Sequence, residues 1–285
     1  MPFVAHSAQK AFPTPRKLIS LFVDDIKAIP KYVKETDSAY LWAIGLGTAV
    51  GIYYDQKLID ATQAQAKRWG LKQNDNTKPQ FSIFGYAARF PTDTESSMYF
   101  LGDGWIHLGF VAGYGLHGAL TSNVRSINIA GQLVEGLGVT AFVTQVIKHV
   151  TGRESPFATK TKGGVWRPFP DQVKYHKNVP KYDAFPSGHV ATAMTTTTIF
   201  VKNFPRYRTA IKVVGYTLTS ILAFGMMNLG VHWFGDYPLA LGIGYMAGDM
   251  AFQHSKELRG GLPADQQSGF VPLVSDRMVG ISYFF

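Results

Sequence analysis

The chain has 285 residues, with 28 Lys and Arg against 19 Asp and Glu and a formal net charge of +9. It has no cysteine, which excludes disulfide frameworks and thiolate metal sites. The positive balance suits anionic lipid head groups or phosphate esters, and no recognition motif or basic helix accompanies it that would direct it to nucleic acid.

A mean hydropathy of -0.00 averages long apolar stretches against basic, polar segments. The 29 glycines sit largely inside the apolar stretches, as expected where membrane helices pack closely. Met1 to Thr14 lacks the charged-then-apolar pattern of a cleavable leader. Residues 1–38 form an arm in which Leu18, Ile19, Leu21, Phe22 and Ile26 make a helical apolar stripe among basic residues. That pattern fits an interfacial helix as well as it fits a solvated arm.

Six apolar stretches follow, near 40–54, 98–121, 126–147, 188–204, 210–231 and 233–253. A spanning helix needs about 20 apolar residues, so the first and fourth need flanking residues to reach across. The expected fold is all-α: a polytopic bundle of about six transmembrane helices, with five the alternative count. Residues 55–97 read as a polar loop with little regular structure. The expected organisation is an arm (1–38), a membrane domain (39–253) and a polar tail (254–285). The tail ends in an aromatic alternation, Val279 to Phe285, like one strand of an outer-membrane barrel, but one strand does not make a barrel. Arg125, Lys202, Arg206 and Arg208 put the arm and two short links on a cytoplasmic side. The 148–187 loop and the 231–233 turn then face outward together.

Those two outward regions carry the chemistry. Pro186-Ser187-Gly188-His189 opens the fourth stretch. Ser is a favoured N-cap, and free amides at a positive helix end hold anions. A plain capped helix is the simpler reading of four residues. His232 and Asp236 stand four apart, so on one helical face the carboxylate holds one ring nitrogen and frees the other. Taken alone, that pair is more often structural. Lys148, followed by Thr151-Gly152-Arg153, supplies cations near a helix end, where snorkelling is the ordinary explanation. Asp103 with His107, and Glu135 inside the third stretch, either line a substrate path or settle helix packing.

In this order, Lys148, Pro186-Ser187-Gly188-His189 and His232-x-x-x-Asp236 resemble the three-motif signature of the phosphatidic acid phosphatase type 2 (PAP2) superfamily over about 98–253. The family's first motif is Lys, six residues, Arg-Pro; its third is Ser-Arg, five residues, His, three residues, Asp. Here Ser155 replaces the first arginine and Gly225-Met226 replaces Ser-Arg. The resemblance implies a phosphatase that needs no metal or other cofactor, acting on a lipid phosphate. His232 would be the nucleophile, Asp236 its orienting partner and His189 the proton donor. Lys148, Arg153, Ser187 and Gly188 would bind phosphate, and Arg153 or Arg167 would replace the absent arginines. It implies an integral membrane protein, expected in a bacterial inner membrane with its site facing the periplasm or outer leaflet. A phosphotransferase and a non-hydrolytic lipid-phosphate binder or transporter remain open beside it.

Overall fold

The computed structural model describes residues 14–83, 86–258, 269–275 and 278–284. The leader reading therefore lies outside the described residues except at Thr14, as do the middle of the tail and its final Phe285. Helix α1 (Pro15–Glu35) realises the amphipathic stripe. Thr14 caps it by accepting from Lys17 N, and Pro15 opens its first turn, where no amide donor is needed. It packs against α5 (Val124–Thr151) and α9 (Tyr237–Leu258), and Leu21 is buried.

The stretch read as a polar loop is largely ordered. Helix α2 runs Ser38–Arg68, past the apolar segment at 40–54. Its buried positions are Gly51, Asp55, Ile59 and Ala66, a stripe close to i, i+4, i+8. The polar residues around them lie on the outer face, which is why the segment reads as loop in one dimension. Strands β1 (Thr77–Ile83) and β2 (Tyr86–Pro91) pair as an antiparallel hairpin. The stretch 98–121 is two helices rather than one. Helix α3 (Thr94–Phe100) ends, and Asp103 caps α4 (Gly104–Thr121) by accepting from Trp105 N at 2.8 Å. The break lets Gly102 pass against α7 (Gly188–Asn203), where a Cβ would stand 2.6 Å from that of His189.

Helix α6 (Gln172–Lys177) lies in the 148–187 loop. Helices α5, α7, α8 (Arg208–Asn228) and α9 form the centre of the bundle. Gly244 and Gly248 of α9 face α7 so closely that side chains there would meet the Ala191 and Thr195 carbonyls, small-residue packing of the membrane-helix kind. The interior between them is rich in hydroxyls. Thr195 donates to Ala191 O, Thr198 to Met194 O, and the Thr140 and Thr195 hydroxyls meet at 2.6 Å. Val124–Thr151 and Pro205–Asn228 are the two described segments long and apolar enough to cross a membrane.

One end of the bundle gathers the basic links. Arg125 at the start of α5 donates to Asn203 O at the end of α7, and Lys202 pairs with Asp249 of α9 at 2.6 Å. Lys148 is 23 residues further along α5, so about 34 Å away at the opposite end. The tail continues α9 to Leu258 and then forms a second antiparallel hairpin, β3 (Gly269–Ser275) with β4 (Met278–Phe284), so the aromatic ending is one arm of a hairpin.

Helix α5 stops at Gly152, which has φ +56, and its N–H returns to Lys148 O at 2.9 Å. A Cβ there would run into the Arg167 carbonyl. Gly152→Ala combines a left-handed penalty with a backbone clash, and we expect it to cost about 2–4 kcal/mol. Thermal unfolding checks this, and a melting temperature equal to wild type would contradict it.

Candidate active site

Three connections meet at the end of the bundle marked by Lys148. Ser187 caps α7, its hydroxyl accepting from Val190 N at 3.4 Å. The Ser187 amide donates to Asp236 O at 3.1 Å, which ties the start of α7 to the turn between α8 and α9. Lys148 Nζ reaches within 3.9 Å of where a Gly188 side chain would begin. An ammonium therefore stands over the first turn of α7, whose amides have no partners within the helix. That combination suits an anion.

The sequence places His232 and Asp236 on a helical face, and the structure corrects this. The segment is a bend followed by a 3-10 turn, Phe234–Asp236, and α9 begins only at Tyr237. The pair still forms, because Asp236 caps the turn. Its Oδ2 accepts from Trp233 N at 2.8 Å and meets His232 Nδ1 at 3.2 Å. Nδ1 is thereby held, leaving Nε2 as the free nitrogen. His232 is 3% exposed, and its ring lies 6.4 Å from that of His189, edge to face. Tyr99 of α3 packs on the other side of His189, centroids 4.5 Å apart.

Arg153, expected at the phosphate, points the other way. It is 0% exposed and donates to Asp236 Oδ1 at 2.6 Å and to Asp55 Oδ2 at 2.5 Å. Its guanidinium lies between the Trp166 and Trp233 rings, 4.7 and 5.3 Å from their centroids. Both terminal nitrogens serve carboxylates behind His232. Asp55 also accepts from Gly235 N at 2.8 Å, so α2 fastens the turn that carries Asp236. Gly235 permits that contact, since a Cβ there would stand 2.7 Å from Ile52 N. Asp55 has no place in the sequence reading. Its only sequence signal is the buried helical stripe it shares with Gly51 and Ile59.

Arg167 is also committed elsewhere. It reaches Glu154 at 3.4 Å and Lys181 O at 3.2 Å, with its side chain 34% exposed. The position of the missing first arginine, Ser155, is buried, and its amide donates to Pro180 O. Met226, at the third-motif arginine position, is buried in the apolar cluster with Val190 and Leu222, its sulfur 4.0 Å from Ser187 Oγ. Neither position supplies a cation. Lys148 has one of its three donors taken by Asp183, at 2.6 Å. Asp183 in turn accepts from the Tyr175 hydroxyl. Burial and the neighbouring Asp183 carboxylate hold that hydroxyl well above the usual tyrosine range, so it stays a donor at neutral pH. Sequence reasoning gave Asp183 and Tyr175 no role; they lie 35 and 27 residues beyond Lys148 and meet it only through the folding of the loop.

The structure thus brings His189, His232, Asp236, Ser187, Gly188 and Lys148 to one place and sets Arg153 behind it. His107 and Asp103 serve packing and capping: His107 Nδ1 meets Thr196 Oγ1 at 2.8 Å. An open cavity of 380 Å³ borders the same turn, lined by Gln56, Asp60, Lys160, Lys162 and Trp233 among others. Neither His189 nor His232 lines it.

The family model that describes the PAP2 superfamily matches residues 129–258. That span holds Lys148, the α7 cap and the His232–Asp236 turn, while Asp55 lies outside it. No curated protein sequence matches the chain.

Proposed function

On the premise that residues 129–258 belong to the PAP2 superfamily, we propose that the protein hydrolyses the phosphate ester or diphosphate of a membrane lipid through a phosphohistidine on His232. The observation that carries this reading is the opposition of the two histidines, 6.4 Å apart, one of them backed by a buried carboxylate. A phosphoryl group between them would have Nε2 of His232 on one side and His189 on the other. Nε2 attacks phosphorus and forms the N–P bond as the bond to the lipid oxygen breaks. His189 gives that oxygen its proton. Water then loses a proton to His189 and attacks phosphorus, the N–P bond breaks, and inorganic phosphate leaves with His232 restored. Asp236 fixes the tautomer throughout and supports the positive charge the ring gains. Lys148, Gly188 and the α7 amides would hold the phosphoryl oxygens.

The lipid substrate and the membrane setting rest on the surface. Large apolar side chains face outward on several helices, among them Trp42 and Leu46, Leu116 and Leu120, Phe142 and Val146, Val213 and Val214. Threonines and ionisable groups share the inside with apolar side chains. A protein with apolar residues outside and polar residues within is arranged for lipid rather than water. The site lies at the end opposite the basic links, which by the charge rule faces the periplasm or outer leaflet of a bacterial inner membrane.

A lipid-phosphate binder that does not turn over is the second reading, favoured by Ser155 and the apolar Met226 where the family has arginines, and by an Arg153 committed to Asp55 and Asp236. Rapid quenching with radiolabelled phosphatidate in detergent separates the two. An acid-labile, alkali-stable phosphoenzyme mapped to His232 is the expected result. Bound lipid with neither phosphoenzyme nor released phosphate would transfer the assignment to the second reading, and label passed to an added alcohol would identify a phosphotransferase.

A further inference from the structure

A second polar cluster lies deep in the bundle, away from the histidines. Asp25 of α1, Glu135 of α5 and His254 of α9 bring one donor atom each within 4.8 Å of one another. His254 Nδ1 is 2.7 Å from Glu135 Oε1 and 3.2 Å from Asp25 Oδ1. Asp25 is 0% exposed, yet neither of its oxygens has a hydrogen-bond partner among the described residues. The charged groups that act on it are Glu135, His254 and Asp24, with no lysine or arginine among them.

Two carboxylates withdrawn from water and set side by side repel strongly, and an ionised pair persists only with a cation between its members. An imidazolium at His254 offers one charge for two carboxylates, and its Nδ1 lies nearer Glu135 than Asp25. We propose that Asp25, Glu135 and His254 form a divalent metal site that staples α1 to α5 and α9. One imidazole nitrogen with two carboxylates is a mixed donor set suited to Zn²⁺ or Mn²⁺ rather than to Ca²⁺. At a metal–ligand distance of about 2.1 Å the three donors would sit roughly 3.4 Å apart, close to the 2.7 and 3.2 Å that now separate His254 from the two carboxylates. Glu135 precedes Lys148 by 13 residues of one helix, about 20 Å. The metal is therefore structural and takes no part in phosphoryl chemistry.

The chelator-treated, dialysed full chain in detergent provides the test, titrated with Zn²⁺ and with Mn²⁺. Wild type is expected to retain about one equivalent of one of these metals by elemental analysis. Its melting temperature should rise by roughly 5 °C or more. Asp25→Asn, nearly isosteric, should lose both the metal and the shift. Tyr32→Phe removes a different polar link between α1 and α9, the Tyr32 hydroxyl to Asp249 at 2.9 Å, and should keep the metal. Should Asp25→Asn fail to fold, His254→Gln takes its place with the same expectation. Folded wild type that holds neither metal at stoichiometry would overturn the proposal in favour of a proton shared between the two carboxyls. Metal retention by the Asp25 or His254 variant would overturn it equally. Turnover measured below the melting transition should survive chelation, so a failed metal test leaves the phosphatase reading intact.

Discussion

His232→Ala is expected to lower kcat on any accepted lipid phosphate by about 10⁴-fold or more and to abolish the phosphoenzyme, since the covalent route disappears with its nucleophile. His189→Ala is expected to behave differently, and the contrast makes the test informative. On a lipid substrate, whose alkoxide is a poor leaving group, loss of the proton donor should slow the first step by about 10²–10⁴-fold. On p-nitrophenyl phosphate the leaving group needs no proton. His189→Ala should then release about one equivalent of nitrophenolate in a burst and stall, because water lacks its base in the second step. Burst amplitude in a stopped-flow trace, with circular dichroism to show the fold, measures both variants. A His232→Ala protein that turns over as wild type would remove His232 from the chemistry. A burst retained by His232→Ala and lost by His189→Ala would exchange the two roles.

The parts of this molecule legible in its sequence are those fixed by short-range pattern. The apolar stretches fall mainly in helices because continuous hydrophobicity over 15 or more residues leaves few alternatives. Pro186-Ser187-Gly188-His189 sits at a helix start because a Ser cap is a local signal. What escapes the sequence depends on contacts far apart in the chain. Helix α2 continues to Arg68 because a narrow stripe packs on the 234–236 turn, 180 residues further on from Asp55 to Gly235, while the rest of its surface beyond Asp55 stays largely polar. Asp103 ends one helix and begins another inside what hydropathy reads as a single span. The four-residue spacing of His232 and Asp236 points to the right pair for the wrong reason, since a capping turn and not a helical face joins them. Arg153 could be read as a cation near a phosphate site, but its direction is decided by two carboxylates, 98 residues before it and 83 after it.

That arrangement of Arg153 carries the second large prediction. One guanidinium bridges two fully buried carboxylates, Asp55 and Asp236, and lies near two tryptophan rings. Arg153→Ala leaves both charges uncompensated, and breaking a buried ion pair on one side typically costs about 3–5 kcal/mol. We expect a melting temperature lower by about 6 °C or more. We also expect kcat to fall by about 10²–10³-fold, because Asp236 would turn or take a proton and release His232 Nδ1. The double variant Arg153→Met with Asp55→Leu separates the two effects. It removes a cation and an anion together and fills the space with apolar volume, so stability should recover by about half or more of the single-variant loss. Activity should stay low, since Asp236 still lacks its anchor. Thermal unfolding and phosphate release on the same preparations give both readouts. If Arg153→Ala kept the wild-type kcat, the arginine would be a packing element only, and the positioning of His232 would rest on the Trp233 amide and Asp236 alone.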